Sequence, residues 1–156
     1  MNNIAAAAVA LGLAAEPGFR AYAEQVLANA RALAVALVAE GCALVTGGTD
    51  NHMMVVDCVK SFGIDGRRAE EALDVLGIAT NKQLVPDDPR PAMRPSGLRL
   101  GTPAATTRGM KEDDMRRIGA WIASALRRPG DGDHLRRLAA EVEPFCSGFE
   151  LPGVSI

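Results

Sequence analysis

Cysteine and histidine are both scarce in this chain, and each shortage removes a class of function. The three cysteines, Cys42, Cys58 and Cys146, are odd in number and form no CxxC pair. That leaves one unpaired in any disulfide scheme and predicts a reduced, cytoplasmic protein. The two histidines, His52 and His134, show neither HxxxH nor HExxH spacing, so no metal site is expected. Excess charge of one sign is missing as well, since 17 basic residues stand against 19 acidic ones for a net charge of −2. No nucleic-acid partner is expected from that balance. The doublets Arg116-Arg117, Arg127-Arg128 and Arg136-Arg137 read as solvated helix faces. The apolar run 4–15 is too short to cross a bilayer, which takes about 20 residues, and no basic segment precedes it. A helix apolar on every side is normally buried, so this one reads as a segment that expects neighbours.

What is present is an apolar content of 48% in 156 residues, enough for one domain with a core of its own. Glu16-Pro17-Gly18 ends the first helix, because proline disfavours helix in the residue before it. A second helix is predicted over 19–40, with Phe19, Tyr22, Val26, Ala30, Leu33 and Leu37 on one stripe and Gly41 at its end. Strands are predicted at 42–46 and 53–58, joined by the turn-forming loop Gly47-Gly48-Thr49-Asp50-Asn51-His52. Asp65 caps a helix at 67–76 with Ala69, Ala72, Leu73 and Leu76 inward. A short extended piece at 78–81 leads to a proline-rich loop, 86–95, that must lie over a surface, and a strand follows at 98–101. Helices at 111–128 and 133–143 complete the chain; the first buries Met115, Ile118, Ile122, Ala125 and Leu126, the second Leu135, Leu138 and Val142. The expectation is an α+β fold: a small antiparallel sheet with helices on one side, preceded by two N-terminal helices. Residues 1–40 would form a connecting and docking segment and residues 41–156 the α+β domain.

The segment richest in chemical meaning is Ser96-Gly97-Leu98-Arg99-Leu100-Gly101-Thr102-Pro103, followed by Arg108-Gly109. In a strand, Arg99 points away from the face of Leu98 and Leu100. A guanidinium held there is a planar fork that grips a carboxylate with two hydrogen bonds. The spacing alone is equally met by an exposed arginine on a half-buried strand.

Taken with the loop Gly47–His52, with Glu16-Pro17, Asn29-Ala30, Asn81-Lys82, Val85-Pro86 and Asp88-Pro89 in order, the chain resembles the C-terminal part of serine hydroxymethyltransferase. That family interconverts serine and glycine with pyridoxal phosphate, passing the one-carbon unit to tetrahydrofolate. The resemblance implies the small C-terminal domain of a fold-type I pyridoxal phosphate enzyme. It implies that Arg99 binds the substrate carboxylate, with Arg108 a second arginine near the site that supports the loop. It also implies that Gln83, usually asparagine in the family, belongs to a folate-binding loop with Pro91 and Met93. The latter two stand where the family often has a small hydroxyl residue and an aromatic one. Asn2 and Ala7 replace a usual histidine and lysine. His52 is expected as a structural hydrogen-bonder rather than an acid–base group. In the family the Schiff-base lysine and the ring and phosphate contacts lie upstream. None of Lys60, Lys82 and Lys111 matches the Schiff-base motif.

No catalytic residue is therefore expected in the chain itself. Pyridoxal phosphate would be bound mainly by a separate chain carrying the large domain, with an amino acid as substrate, tetrahydrofolate as a candidate acceptor and a hetero-oligomer as the product. The competing readings are a non-catalytic docking module for a full-length relative, half of a folate-independent, threonine-type transaldolase, and a remnant whose upstream part is missing.

Overall fold

The computed structural model describes residues 1–151. Two helices open the chain, α1 (Asn2–Ala14) and α2 (Pro17–Ala39), meeting at 77°. Then come β1 (Ala43–Leu44), β2 (Met53–Asp57), α3 (Cys58–Phe62), α4 (Gly66–Asp74), β3 (Asn81–Gln83), β4 (Gly97–Gly101), α5 (Pro103–Thr107), α6 (Glu112–Arg127) and α7 (Gly132–Ser147). The strands form one antiparallel sheet in the order β1-β2-β4-β3. Helices α2, α4 and α6 supply much of the core on one face, and the α+β expectation holds.

Alternation decides which residues meet the helices. Leu44, Met54, Val56, Leu98 and Leu100 are buried on the helix side. They join Leu33 and Leu37 of α2, Leu73 of α4, and Met115, Ile122 and Leu126 of α6 in one core. The long helices α2 and α6 approach closely because Gly119 lacks a side chain: a Cβ there would stand 2.9 Å from Ala36 Cβ. A buried amide fixes their register with the residues around α5. Asn29, fully buried, donates to Thr106 Oγ1 at 2.9 Å and to the Met110 carbonyl at 2.8 Å, and accepts from Gln25 Nε2 at 3.0 Å.

Several expectations are corrected. The apolar stripe of α2 becomes fully buried only from Val26; Tyr22 is half-buried, with its hydroxyl on Pro103 and Thr107 of α5, and Phe19 is exposed. The strand expected at 42–46 shrinks to Ala43–Leu44. The Ala43 N–H is taken by Ser61 Oγ at 2.8 Å, and Ser61 donates in turn to the Asp57 carbonyl. Cys58 belongs to α3, started by an Asp57 side chain that accepts from the Lys60 N–H. The last helix runs on to Ser147, through Pro144. The extended piece at 78–81 pairs three residues later, as β3.

Helix α1 buries none of its residues. Ile4, Val9, Leu11 and Leu13 are between 57% and 73% exposed, so among the described residues nothing covers the segment that sequence marked as expecting neighbours. Among the described residues no single helix is long and apolar enough to cross a membrane.

Candidate functional site: the open sheet face

The sheet face away from the helices carries the candidate site. Register places Arg99 between Val55 on β2 and Asn81 on β3. Arg99 is exposed while Leu98 and Leu100 are buried, as alternation requires. Its Nη2 donates to Asn81 Oδ1 at 3.1 Å. One edge of the guanidinium is thus held by a cross-strand neighbour, and further N–H donors remain for a planar acceptor.

One row along, Gln83 faces Gly97 on the same side of the sheet. A Cβ on Gly97 would meet the Gln83 carbonyl at 2.7 Å and the Val55 and Val85 methyl groups at 3.0 and 2.9 Å. Glycine therefore lets the strand carrying Arg99 lie beneath the start of the proline loop. Lys82, between Asn81 and Gln83, has the opposite parity: its Nζ bonds Glu70 Oε2 of α4 at 2.8 Å. The Lys82 ammonium, as hydrogen-bond donor, holds the Glu70 carboxyl below its ordinary range.

The proline loop is tied by one carboxylate. Asp88 accepts from the Ser96 N–H at 2.7 Å, from Ser96 Oγ at 2.8 Å, from the Arg90 N–H at 3.0 Å and from the Val85 N–H at 3.3 Å. Partial desolvation raises its pKa, yet these bonds outweigh it and lower the group from 3.8 to about 2. A carboxyl depressed in the fold stabilises above its unfolded pKa and loses that effect as pH falls through the folded one. Hydrogen-exchange protection of the Ser96 and Arg90 amides is thus expected to be full above about pH 4 and to be lost as pH falls through about pH 2. Asp88→Ala should raise both exchange rates about tenfold at neutral pH without moving those of α6. Pro91 and Met93 lie exposed on this loop, and Met93 is 70% exposed.

Beyond Arg99 the strand ends in a fixed turn. Thr102, fully buried, donates Oγ1 to the Val26 carbonyl at 3.0 Å and its N–H to the His52 carbonyl at 3.1 Å. His52 contributes that backbone carbonyl and keeps its ring exposed. In the Gly47–His52 loop, Thr49 Oγ1 donates to the Met53 carbonyl and Asn51 Oδ1 accepts from the Met53 N–H, and Gly47 has a φ of 71° that only glycine adopts readily.

Arg108 goes elsewhere. At the end of α5, its Nη2 donates to the Cys146 carbonyl at 2.5 Å and the Phe149 carbonyl at 3.1 Å, closing the end of α7 beside Leu76 and Val142. The fold thus brings Arg99, Asn81 and Gln83 to one face, with the proline loop at its edge, and turns Arg108 toward α7. Asn81 and Asp88 carry roles that the sequence reading did not assign. The Asp88-Pro89 pair in a loop was a usable turn signal. Nothing in the sequence put Asn81 opposite Arg99.

The family model described as serine hydroxymethyltransferase matches residues 1–122. The chain belongs to the serine hydroxymethyltransferase family. It is 49% identical over 151 residues to serine hydroxymethyltransferase of Koribacter versatilis, covering 97% of this chain and 35% of that protein. It is 47% identical over 155 residues to the Sorangium cellulosum enzyme, covering 99% and 36%. The figures for serine hydroxymethyltransferase 2 of Mesorhizobium japonicum are 47% over 155 residues, covering 99% and 35%. The chain therefore spans about a third of the length of the curated relatives it matches.

Members of this family depend on pyridoxal phosphate, which needs a lysine beneath its ring. The lysines here do not fit that need. Lys60 lies on α3, Lys82 turns to the helix side onto Glu70, and Lys111 Nζ bonds Gln25 Oε1 at 3.0 Å. None shares the strand row of Arg99.

Proposed function

We propose that this chain is the C-terminal subunit of a split serine hydroxymethyltransferase-like enzyme. It binds the substrate carboxylate through Arg99, while a separate chain carries pyridoxal phosphate. The observation that carries this reading is the guanidinium of Arg99 on the open sheet face, with no lysine standing in its strand row. Pyridoxal phosphate, bound by the partner, supplies the electron sink for an aldol-type transfer between serine and glycine or a related amino acid. The share of this chain is orientation. Gripping the carboxylate would fix the orientation of the substrate's Cα, and such positioning is a large part of catalysis. Tetrahydrofolate is the candidate acceptor, reached by Gln83 and the loop bearing Pro91 and Met93.

Helix α1 supports a docking partner. Ile4, Val9, Leu11 and Leu13 are more than half exposed, and burying each would contribute about 1.5–3 kcal/mol. The test is to purify the chain alone and together with the product of the neighbouring gene, then record pyridoxal absorbance and serine cleavage. The lone chain is expected to be colourless and inactive, and the pair coloured and active. Colour in the lone chain, or no partner that restores colour and activity, would overturn the proposal.

A further inference from the structure

The buried cysteines Cys42 and Cys58 have no part in the carboxylate site, and the sheet register sets them against each other. Ala43 stands opposite Asp57 and Leu44 opposite Val56. Carried one residue outward, the same register faces residue 42 with residue 58. Parity puts both side chains on the helix side with Leu44 and Val56, and Cys42 is 5% exposed and Cys58 0%. The hydrogen-bond pattern shows which type of pair this is. The Val45 N–H bonds the Val55 carbonyl, while the Cys58 N–H turns the other way, to the Ser96 carbonyl. The ladder itself ends at Ala43 and Asp57 and Cys58 opens α3, so 42 and 58 stand just past its last pair, at a position of the non-hydrogen-bonded type in which opposed side chains come closest.

The geometry points to Cys42 and Cys58 as a vicinal dithiol that closes to a disulfide and staples the α2–β1 turn to the β2–α3 junction. Both cysteines are free thiols here. Beside them the Ser61 hydroxyl bridges the two chains, accepting from the Ala43 N–H and donating to the Asp57 carbonyl. The oxidant is a small-molecule disulfide such as oxidised glutathione. The Cys42 thiolate, on the side with residual exposure, attacks one glutathione sulfur and expels the other as a thiolate. The Cys58 thiolate then attacks the Cys42 sulfur and expels the second glutathione. Two thiols become one disulfide, the glutathione disulfide is reduced to two thiols, and the protons pass to those products.

The environment makes the pair slow rather than inert. Burial pushes the Cys42 thiol up to about 11, with Arg127 lowering it and Glu40 raising it. Burial pushes Cys58 up to about 12, and Cys42, Asp57 and Asp65 raise it further. Only thiolate reacts, so closure is expected to speed up about tenfold per pH unit through the mildly alkaline range. Cys146, half-buried on α7, is the internal comparison.

The experiment incubates the full chain with oxidised glutathione, quenches with acid, and maps cysteine peptides under non-reducing conditions. The expected result is a linked Cys42–Cys58 peptide pair with no glutathione retained on either. The Tm should rise by about 6–10 °C, reversed by dithiothreitol, because the linkage closes the short loop 43–57. In Cys58→Ser, Cys42 should instead keep one glutathione. The wild-type peptide map decides the question even if that variant does not fold. Cys42 and Cys58 recovered as free thiols, glutathione retained on wild-type Cys42, or a linked pair with unchanged Tm would each overturn the proposal.

Discussion

If the proposed pair is assembled, Arg99→Lys is expected to lower its kcat/KM for serine about 100-fold, chiefly through KM. The reason is shape rather than charge. Lysine keeps the positive charge, but its ammonium is a point donor that cannot present two parallel N–H groups to one carboxylate. It would also lose the fixed direction that Asn81 gives the guanidinium through the Nη2 bond. Arg99 is exposed on the face away from the core, so the melting temperature of the chain should move by no more than about 1 °C. That combination separates a binding role from a structural one. Steady-state kinetics beside a thermal melt would read both, and unchanged kinetics would remove Arg99 from the site. The Lys variant is more informative than alanine, because it holds the local charge nearly constant and tests the fork alone.

The direction of Arg99 was legible in the sequence because a two-residue period leaves no freedom: with Leu98 and Leu100 inward, Arg99 faces out. The helices were legible for the same kind of reason, with Ala69, Ala72 and Leu73 of α4 buried as their spacing demands. What the sequence could not show is what strands and loops do to one another. Phe19 satisfies the period of α2 and is nevertheless exposed, since period says which face a residue is on, not how far the neighbouring layer extends. Strand β3 is polar along Asn81-Lys82-Gln83 and gives no apolar alternation. It becomes a strand because Lys82 is paired with Glu70 on one side while Asn81 and Gln83 face outward on the other. The five-residue helices α3 and α5 are too short to show a period and start at local signals, an Asp57 cap and Pro103. The partners of Arg108 are carbonyls about forty residues away in sequence, a pairing that only tertiary structure supplies.

Gly66→Ala is expected to cost about 3 kcal/mol and lower the melting temperature by about 6–12 °C. A Cβ on Gly66 would stand 2.1 Å from the Gly97 carbonyl oxygen and 3.2 Å from the Pro95 carbonyl oxygen. These are backbone atoms, so no side-chain rotation relieves the clash. The first turn of α4 is pinned against them: the Gly66 N–H donates to the Pro95 carbonyl at 2.7 Å. Asp65 caps the helix through the Arg68 N–H and accepts from Arg94 Nε at 2.8 Å. Its carboxyl is lowered first by the Arg68 backbone bond, against desolvation, with Arg94 adding to it. Either α4 or the strand carrying Arg99 must therefore move, and the strand is also held by the Asp88 bonds to Ser96. Because Gly97 is two residues from Arg99, the same substitution should broaden or shift the Arg99 side-chain NMR resonances while leaving those of α7 in place. Gly18→Ala, where a Cβ meets nothing within 4 Å, is the matched comparison and should leave Tm unchanged. A Gly66→Ala chain that melts with the wild type would mean that α4 is not seated on the β4 backbone, and that the rigidity ascribed to the Arg99 strand has another source.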